Sequence, residues 1–265
     1  MDLSIIILKY KQQKVFQLCL ENLIKAKINL DYEIIIIDNN SQDGSLEYLK
    51  EIKRDHSKIE IILNDKNSGY AKANNQAVKQ AKGDYILILN PDVIVSPGAI
   101  EEMLAFLKKN YDIGLIGPQL LNQDKTIQFS CYRFPKLITP AIRRTFLYRL
   151  PWFKNELKRY LMQDFDHQEI RGVGWLIGAC LMIKKDFLKQ IGYFDERYFL
   201  YFEDVDLARK VWQAGKKVVY FPKAKMIHFH RRLSADFSFF PSLSQRVTWI
   251  HIFSALKYFW KWRGK

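Results

Sequence analysis

The sequence predicts an α/β protein: a doubly wound, mostly parallel sheet with helices on both faces, followed by a C-terminal amphipathic helical segment. Three observations carry this. Short apolar runs alternate with stretches of helical periodicity through residue 117, the pattern of strands joined by crossover helices. The apolar runs lack polar residues at every second position, as expected of strands covered on both faces. Acidic and amide residues fall where those runs end, and such a sheet binds ligands outside the carboxyl ends of its strands.

The elements follow in order. LSIIIL at 3–8 reads as a buried strand, and Val15, Leu18, Cys19, Leu23 and Ala26 define a helix over 13–27. EIIII at 33–37 is a second strand, ending at Asp38; the polar loop NNSQDG leads from it into a helix near 45–54. A third strand lies near 59–63, and the small polar sequence AKANNQAVKQA falls in a helix near 70–81 that stops at Gly83. YILIL at 85–89 is a fourth strand, running into Asn90-Pro91-Asp92. Ser96 and Pro97 supply an N-cap and a first-turn proline for a helix to 109, and 113–117 is a further short strand. The second half is less regular. Residues 125–170 are basic, aromatic and broken by proline, and 172–183 is an apolar stretch carrying Gly172, Gly174 and Gly178. A helix runs from 203 to 214, ended by Gly215, and a strand over 217–221 is closed by Pro222.

With 265 residues, 48% of them hydrophobic, the chain can fill a core, which excludes a disordered protein; 12 glycines and 8 prolines exclude a collagen-like one. The three cysteines have neither metal-ligand spacing nor a disulfide-framework pattern, which fits a reducing compartment. No apolar run approaches the roughly 18 residues of a spanning helix. The run from Gly172 to Ile183 stops at Lys184-Lys185. No signal peptide is recognisable, so the expectation is a cytosolic, non-spanning protein.

The net charge of +14 is concentrated. Residues 125–160 hold nine Lys/Arg against one acid, Glu156, and residues 223–265 hold nine against Asp236. Both segments are rich in aromatics, a combination that suits nucleic acid, anionic lipid or phosphorylated substrates, or else a solvated basic face. Over 242–262 a helical wheel gathers Arg246, Ser254, Lys257 and Lys261 on one side and assigns Trp249, Ile252, Phe253, Ala255, Leu256, Phe259, Trp260 and Trp262 to the opposite half. Such a helix lies in a membrane interface, packs on its own domain or pairs with a second copy.

Individual residues leave alternatives open. Asp92, after a strand and a proline, suits a divalent cation on a diphosphate or an Asx turn. Asp38 suits a hydrogen bond to a nucleobase or a role in its own turn. Glu203-Asp204 opens a helix: a carboxylate there is a general base, or it stabilises the helix dipole with Asp206 pairing to Arg209. His228 and His230 share a side after a strand, as metal ligands or structural histidines. The absence of G-x-G-x-x-G, G-K-[ST], G-x-S-x-G and paired-cysteine patterns argues against a dinucleotide fold, a P-loop, a serine hydrolase and tetrahedral zinc.

Taken together, LSIIILKY at 3–10, IIIIDNNSQDGS at 34–45, NSGYAKANNQA at 67–77, GDYILILNPDV at 83–93 and the long stretch at 178–230 resemble the family 2 glycosyltransferases of GT-A fold, within them the bacterial rhamnosyltransferase-like group. The resemblance covers residues 3–230. It implies a glycosyltransferase domain over 1–240, with a nucleotide-binding half to about residue 120 and an acceptor half beyond it, and a membrane-associating or dimerising tail over 241–265. It implies that Asp38 and Tyr10 bind the donor's pyrimidine, that Asn40, Asn67, Gly69 and Asn90 line the nucleotide pocket, and that Asp92 holds Mg²⁺ or Mn²⁺ with His228 as a further ligand. Asp204, paired with Glu203, is the implied general base of an inverting displacement. The implied donor is dTDP-L-rhamnose, with a UDP-hexose or a galactofuranose donor as the alternative. The implied acceptor is a lipid-diphosphate-linked glycan at the inner membrane face, near Arg133, Arg143 and Arg144. A homodimer and a catalytically silent scaffold remain open, and nucleic acid is not an expected partner. One departure stands out: where the family has V-N-Y-N, this chain has Leu8-Lys9-Tyr10-Lys11.

Overall fold

The computed structural model describes residues 1–144, 150–229 and 246–264. The first strand, β1 (Leu3–Lys9), is followed by α1 (Gln13–Lys25), β2 (Tyr32–Asp38), α2 (Ser45–Asp55), β3 (Ile59–Leu63), α3 (Tyr70–Gln80) and β4 (Tyr85–Leu89). β3, β2, β1 and β4 lie side by side and parallel, with Lys9 opposite Asp38 in the register of β1 and β2. This half follows the expected alternation closely, because each strand pairs with a near neighbour in sequence through a crossover helix.

The next elements are β5 (Val93–Val95), α4 (Ala99–Lys109), β6 (Ile113–Leu121), β7 (Ile127–Gln128), β8 (Cys131–Tyr132), α5 (Thr139–Arg144) and α6 (Pro151–Tyr160). After them come β9 (Arg171–Gly172), β10 (Trp175–Leu176), β11 (Cys180–Lys184), α7 (Lys185–Gln190), α8 (Glu203–Gln213), β12 (Lys217–His228) and the last helix, α9 (Arg246–Lys261). The sheet continues from β4 through β11, β6 and β12 to β5, with β7 on β6 and β9 on β12; β8 and β10 form a separate pair. β11 enters the centre antiparallel to both β4 and β6, so the sheet is mixed.

Local pattern reading differs from the structure at three points. The 172–183 stretch supplies the central strand β11, whose partners lie about 65 to 100 positions upstream and leave no local signal. β12 does not end at Pro222; it runs on to His228 through a register shift between Phe221 and Lys225, where a proline needs no ladder donor. The cap of α4 is Gly98 in a left-handed conformation (φ 77°), and Ser96 instead accepts Ala99 N–H through its backbone carbonyl.

Two apolar layers cover the sheet. Phe16, Leu20, Leu49, Ile100 and Leu104, from α1, α2 and α4, pack with Ile5, Ile36 and Met182 on one face. Ala73, Ala77, Phe187, Leu207 and Val211, from α3, α7 and α8, pack with Ile6, Ile88 and Ile183 on the other, and α9 adds Ala255, Tyr258 and Trp262 there. Cys19, Cys131 and Cys180 are buried free thiols, all pushed upward by burial, Cys19 and Cys131 to about 12.

α9 divides its residues differently from the sequence wheel. Ala255 and Trp262 from the apolar set and Ser254 from the polar set all face the protein. Ser254 Oγ donates to Leu200 O (2.9 Å), Lys261 Nζ to Asp206 (2.7 Å) and Asp195 (2.8 Å), and Trp262 Nε1 to Asp206 (2.8 Å). Although burial raises it, the Asp195 carboxyl is held well below the usual range by hydrogen bonds from Arg197 and Lys261. The 240/241 boundary expected from sequence, and His230, lie outside the described residues.

Candidate functional site

The carboxyl ends of β1, β2 and β4 meet the start of α8 and the end of β12, and the site has two corners. The first is built around Lys9, whose side chain is fully buried at the end of β1. Its Nζ reaches both oxygens of Asp43 at 3.0 Å and Asp38 Oδ1 at 3.4 Å. Ser41 closes the turn, donating its N–H to Asp38 Oδ2 (3.1 Å) and its hydroxyl to Oδ1. Burial works against the Asp43 charge, but hydrogen bonds from Ser45 and Lys9 hold its carboxyl below the usual range. The Lys9 departure therefore faces inward and clamps the implied base-binding carboxylate. Tyr10 is exposed beside it, with Lys11 Nζ 5.5 Å from its ring centre.

Asn40 takes a left-handed φ of 61° and is partly exposed; the residue that organises this loop is its neighbour Asn39. Asn39 is buried, accepts from Asn64 Nδ2 (3.1 Å) and Ser68 N (3.0 Å), and donates to Asn67 Oδ1 (2.8 Å). Asn67 Oδ1 also accepts Gly69 N–H (3.0 Å). Gly69 has φ 84°, and a Cβ there would stand 2.6 Å from Phe199 O, so only glycine fits the entry to α3.

The second corner starts at the next residue. The Tyr70 hydroxyl donates to Gly178 O at 2.7 Å and lies 3.3 Å from Asn90 Oδ1. A phenol has one proton, and the shorter bond uses it; the Asn90 amide is therefore assigned with its NH₂ toward Tyr70. On the other side of the same peptide segment, Gly178 N–H donates to Asp204 Oδ2 (3.0 Å), while Asp204 Oδ1 accepts Val205 N–H (2.8 Å). Tyr70 and Gly178 thus tie Asn90 to Asp204. Burial raises the Tyr70 hydroxyl well above its ordinary value, reinforced by the charges of Glu203, Asp204 and Asp92, so it stays a neutral donor.

Burial also pushes Asp204 up, to about 6, against the lowering effect of its backbone hydrogen bonds. It is then charged at pH 7 yet basic enough to accept a proton. Glu203 is more deeply buried, its Oε2 has no hydrogen-bond partner, and burial followed by the Asp204 charge raises it well above the carboxylate range. Of the two, Asp204 is the less buried and the one bonded to the Gly178 segment, which makes it the candidate base. The turn feeding them is strained: Tyr201 (φ 69°) and Phe202 (φ 68°) are both left-handed non-glycine residues.

Asp92 and His228 come together at the far side of this corner. Phe229 N–H donates to Asp92 O (2.8 Å), and His228 Nε2 stands 3.3 Å from Asp92 Oδ1, a buried oxygen that accepts no hydrogen bond. Gln128 of β7 donates its NH₂ to Asn122 Oδ1 (3.2 Å), which leaves Gln128 Oε1 to accept Nδ1–H of His228 (2.7 Å). In the neutral imidazole this leaves Nε2 as the unprotonated nitrogen, on the side of Asp92. A divalent cation would satisfy Asp92 Oδ1, the orphaned oxygen, with His228 Nε2 within reach of the same ion, so the residues fit one. Among the described residues no cluster of three or more His, Cys, Asp or Glu side chains forms.

The implied acceptor arginines are partly committed. Arg133 pairs with Asp164 (2.6 Å), and the Arg143 guanidinium sits over the rings of Tyr160 (5.4 Å) and Tyr132 (5.9 Å). Tyr132 stacks on Trp175 and Tyr160. The side chain of Arg144 is outside the described set. Sequence reasoning missed Asn39, Tyr70 and Gln128. The polar and aromatic letters of N-N-S and N-S-G-Y signal the first two, whereas nothing local signals Gln128.

Residues 4–192 match the family described as Glycosyl transferase family 2, well over half of the chain, and the chain belongs to that family. It is 31% identical over 209 residues to the N-acetylglucosaminyl-diphospho-decaprenol L-rhamnosyltransferase of Mycobacterium tuberculosis, covering 74% of this chain and 66% of the relative. It is 26% identical over 213 residues to the low-salt glycan biosynthesis hexosyltransferase Agl10 of Haloferax volcanii, covering 77% and 60%. The chain thus spans about two thirds or less of these relatives' length. Among solved structures, GalNAc-T7 with UDP, GalNAc and Mn²⁺ superposes with a TM-score of 0.66 at 17% identity, over 89% of this chain and 44% of that one. The mannosyltransferase of Pyrobaculum calidifontis with GDP-Man and Mn²⁺ gives 0.60 at 15%, over 87% and 57%. These likenesses establish the GT-A fold.

Proposed function

Starting from membership of glycosyl transferase family 2, we propose that this protein transfers a sugar from a nucleotide donor, dTDP-L-rhamnose in the first instance, to a hydroxyl of a lipid-diphosphate-linked glycan, with inversion at the anomeric carbon. The observation that carries the proposal is Asp204: a carboxylate raised to about 6 and tied through Gly178 and Tyr70 to the Asn90-Pro91-Asp92 turn. The mycobacterial relative, a rhamnosyltransferase by name, supports the choice of sugar and acceptor class.

In this reading Asp38 accepts an N–H from the pyrimidine while Lys9 and Ser41 hold it still, and Tyr10 flanks the base. Asn67 and Gly69 shape the wall of the pocket beside Asn39, and Asn40 lies at its rim. Asp92 and His228, with Asn90 adjoining, would hold Mg²⁺ or Mn²⁺, which when bound supplies positive charge beside the leaving diphosphate. Asp204 takes the proton of the acceptor hydroxyl as its oxygen bonds to the anomeric carbon. The bond from that carbon to the diphosphate breaks, and its electron pair leaves with the nucleoside diphosphate. Glu203, its carboxyl raised by burial well above the usual range, lies beside Asp204. Uracil and thymine offer Asp38 the same imide N–H, so a UDP-hexose or galactofuranose donor is the second reading. With a lipid-linked acceptor, transfer would take place at a membrane surface, the cytoplasmic face in this reading; among the described residues no helix is long and apolar enough to cross a membrane.

The test is nucleoside diphosphate release from a panel of nucleotide sugars, with Mn²⁺, Mg²⁺ or chelator, alongside Asp92→Ala and Asp204→Ala. Metal-dependent release from dTDP-L-rhamnose, lost in both variants, is expected. Release from a UDP sugar alone selects the second reading. No release, with no donor-induced thermal shift, rejects transfer and leaves a scaffold.

A further inference from the structure

The helix α9 presents an apolar stripe to solvent while holding itself to the protein by its other side. Trp249, Phe253, Leu256 and Trp260 are 48%, 55%, 56% and 62% exposed. At about 100° per residue they fall within roughly 60° of one another, opposite Thr248, Ala255, Tyr258 and Trp262, which are buried. A surface helix ordinarily shows the reverse arrangement, with aromatics inward and cations outward. Here Lys261 is spent on Asp206 and Asp195. Arg209 donates to the Tyr258 hydroxyl (3.0 Å), and its guanidinium lies 5.3 Å from the Trp262 ring centre. The docking is specific, so the outward direction of the stripe is fixed.

Cations border the stripe. Arg246 and Lys257 are exposed along one edge; Arg263 is exposed at the other, its guanidinium 5.0 Å from the Trp260 ring centre. The surrounding segment, 223–265, carries nine Lys/Arg and one acid. Apolar side chains rimmed by cations match an anionic bilayer, whose headgroups pair with the rim as the rings enter the acyl boundary. An isologous dimer would instead set this basic rim against its own copy, which like-charge repulsion opposes. The other basic segment repeats the chemistry: Leu137, Leu150 and Trp152 are exposed among Lys136, Lys154 and Lys158.

We propose that the outward stripe of α9 is an interfacial docking surface for anionic lipid. It gives the membrane location proposed above a physical contact and rests on that reading for its purpose. α9 also braces the turn that feeds the base, since His251 packs on Tyr201 (4.9 Å) and Phe202 (5.4 Å) and Tyr258 on Phe202 (5.3 Å). A lipid-anchored α9 therefore fixes how the Asp204 turn stands relative to the bilayer.

The test is co-sedimentation of the full chain, without donor, with vesicles of phosphatidylcholine alone or mixed with phosphatidylglycerol. Binding to the mixed vesicles only, weakening as salt rises, is expected. Phe253→Glu with Leu256→Glu, both exposed and both helix-compatible, should lower the bound fraction about tenfold or more with an unchanged melting temperature. Arg246→Ala with Arg263→Ala should weaken binding to mixed vesicles by a smaller factor. Absence of binding, or equal binding by the glutamate variant, overturns the proposal. So does a lipid-free dimer that the glutamate variant dissolves, which would give the face to a second copy. Donor hydrolysis by the same variant is expected to be unchanged, so failure at the vesicle leaves the transfer reading standing.

Discussion

The two corners of the site treat charge in opposite ways. At the first corner both carboxylates have partners: Lys9 lies between Asp38 and Asp43, and Ser41 and Ser45 complete the set. At the second corner the carboxylates are left short. Glu203 Oε2 and Asp92 Oδ1 accept no hydrogen bond, and Asp204 is pushed up by burial without a cationic partner. A compensated corner is rigid and stabilises the fold, whereas an uncompensated one holds groups ready for a proton or a cation at the expense of stability. Removing a charge should therefore have opposite consequences for stability in the two corners.

The largest effect is expected at Asp204. Asp204→Asn should reduce transfer by about 10²–10⁴-fold, the usual worth of a positioned base. Its folded-state value, about 6, lies above the ordinary 3.8, so the stability it contributes is complete below 3.8 and is lost as pH rises through 6. The charged form is thus a load at pH 8, and Asp204→Asn should melt there no lower than the parent. By the same value, kcat/KM should fall about tenfold per unit as pH drops below 6. A flat profile, or an active Asp204→Asn, would move the base elsewhere.

Lys9→Met should do the reverse, lowering stability by roughly 3 kcal/mol because it leaves two carboxylates facing each other without their cation. Denaturant unfolding measures this. Adding Asp43→Asn should restore part of the stability. If Lys9 also positions Asp38, donor KM stays raised in the double variant; a full return of KM would make Lys9 a counter-ion for Asp43 alone.

A smaller effect is expected at Gln128, which orients His228 from outside the site. Gln128→Leu should weaken Mn²⁺ binding about 10–100-fold, the range for partners of a metal-bound histidine. Titration of the Mn²⁺-induced thermal shift reads it without any turnover. Unchanged affinity would mean that His228 is not a ligand.

Much of the first corner is legible in sequence and less of the second, for a physical reason. β1 to β4 are parallel strands with neighbouring partners, so their apolar runs and terminal acids can be read locally. The second corner depends on β11, which enters antiparallel between strands far away in sequence, and on Gly178 immediately before it. Glu203-Asp204 is visible as an acidic helix start, but its burial is not, and burial separates a base from a dipole partner. The same limit applies to α9: periodicity shows which residues differ but not which side is docked, and Lys261 and Ser254 turn inward because Asp206 and Leu200 O are there to meet them. Lys9 is legible as a departure from V-N-Y-N, but only the register opposite Asp38 shows that it points inward.

Tyr70 joins the two corners, and the smallest predicted effect tests whether they act as one site. Tyr70→Phe keeps the ring against Phe194 and removes the one proton given to Gly178 O. A lost hydrogen bond of this kind is worth about 1 kcal/mol, so kcat should fall about tenfold or less and the fold should persist. The informative quantity is where the loss falls. Gly178 lies between Tyr70 and Asp204, so a loosened Gly178 peptide relaxes the base, and kcat should fall with donor KM nearly constant. Asn90 would also lose its contact with the Tyr70 hydroxyl, so Mn²⁺ affinity at the adjoining Asp92 should drop modestly in the same variant. A change in KM alone would mean that the corners bind independently and that Tyr70 belongs to the nucleotide wall; a joint loss in kcat and Mn²⁺ affinity would mean that one hydroxyl sets both the base and the Asn90 amide.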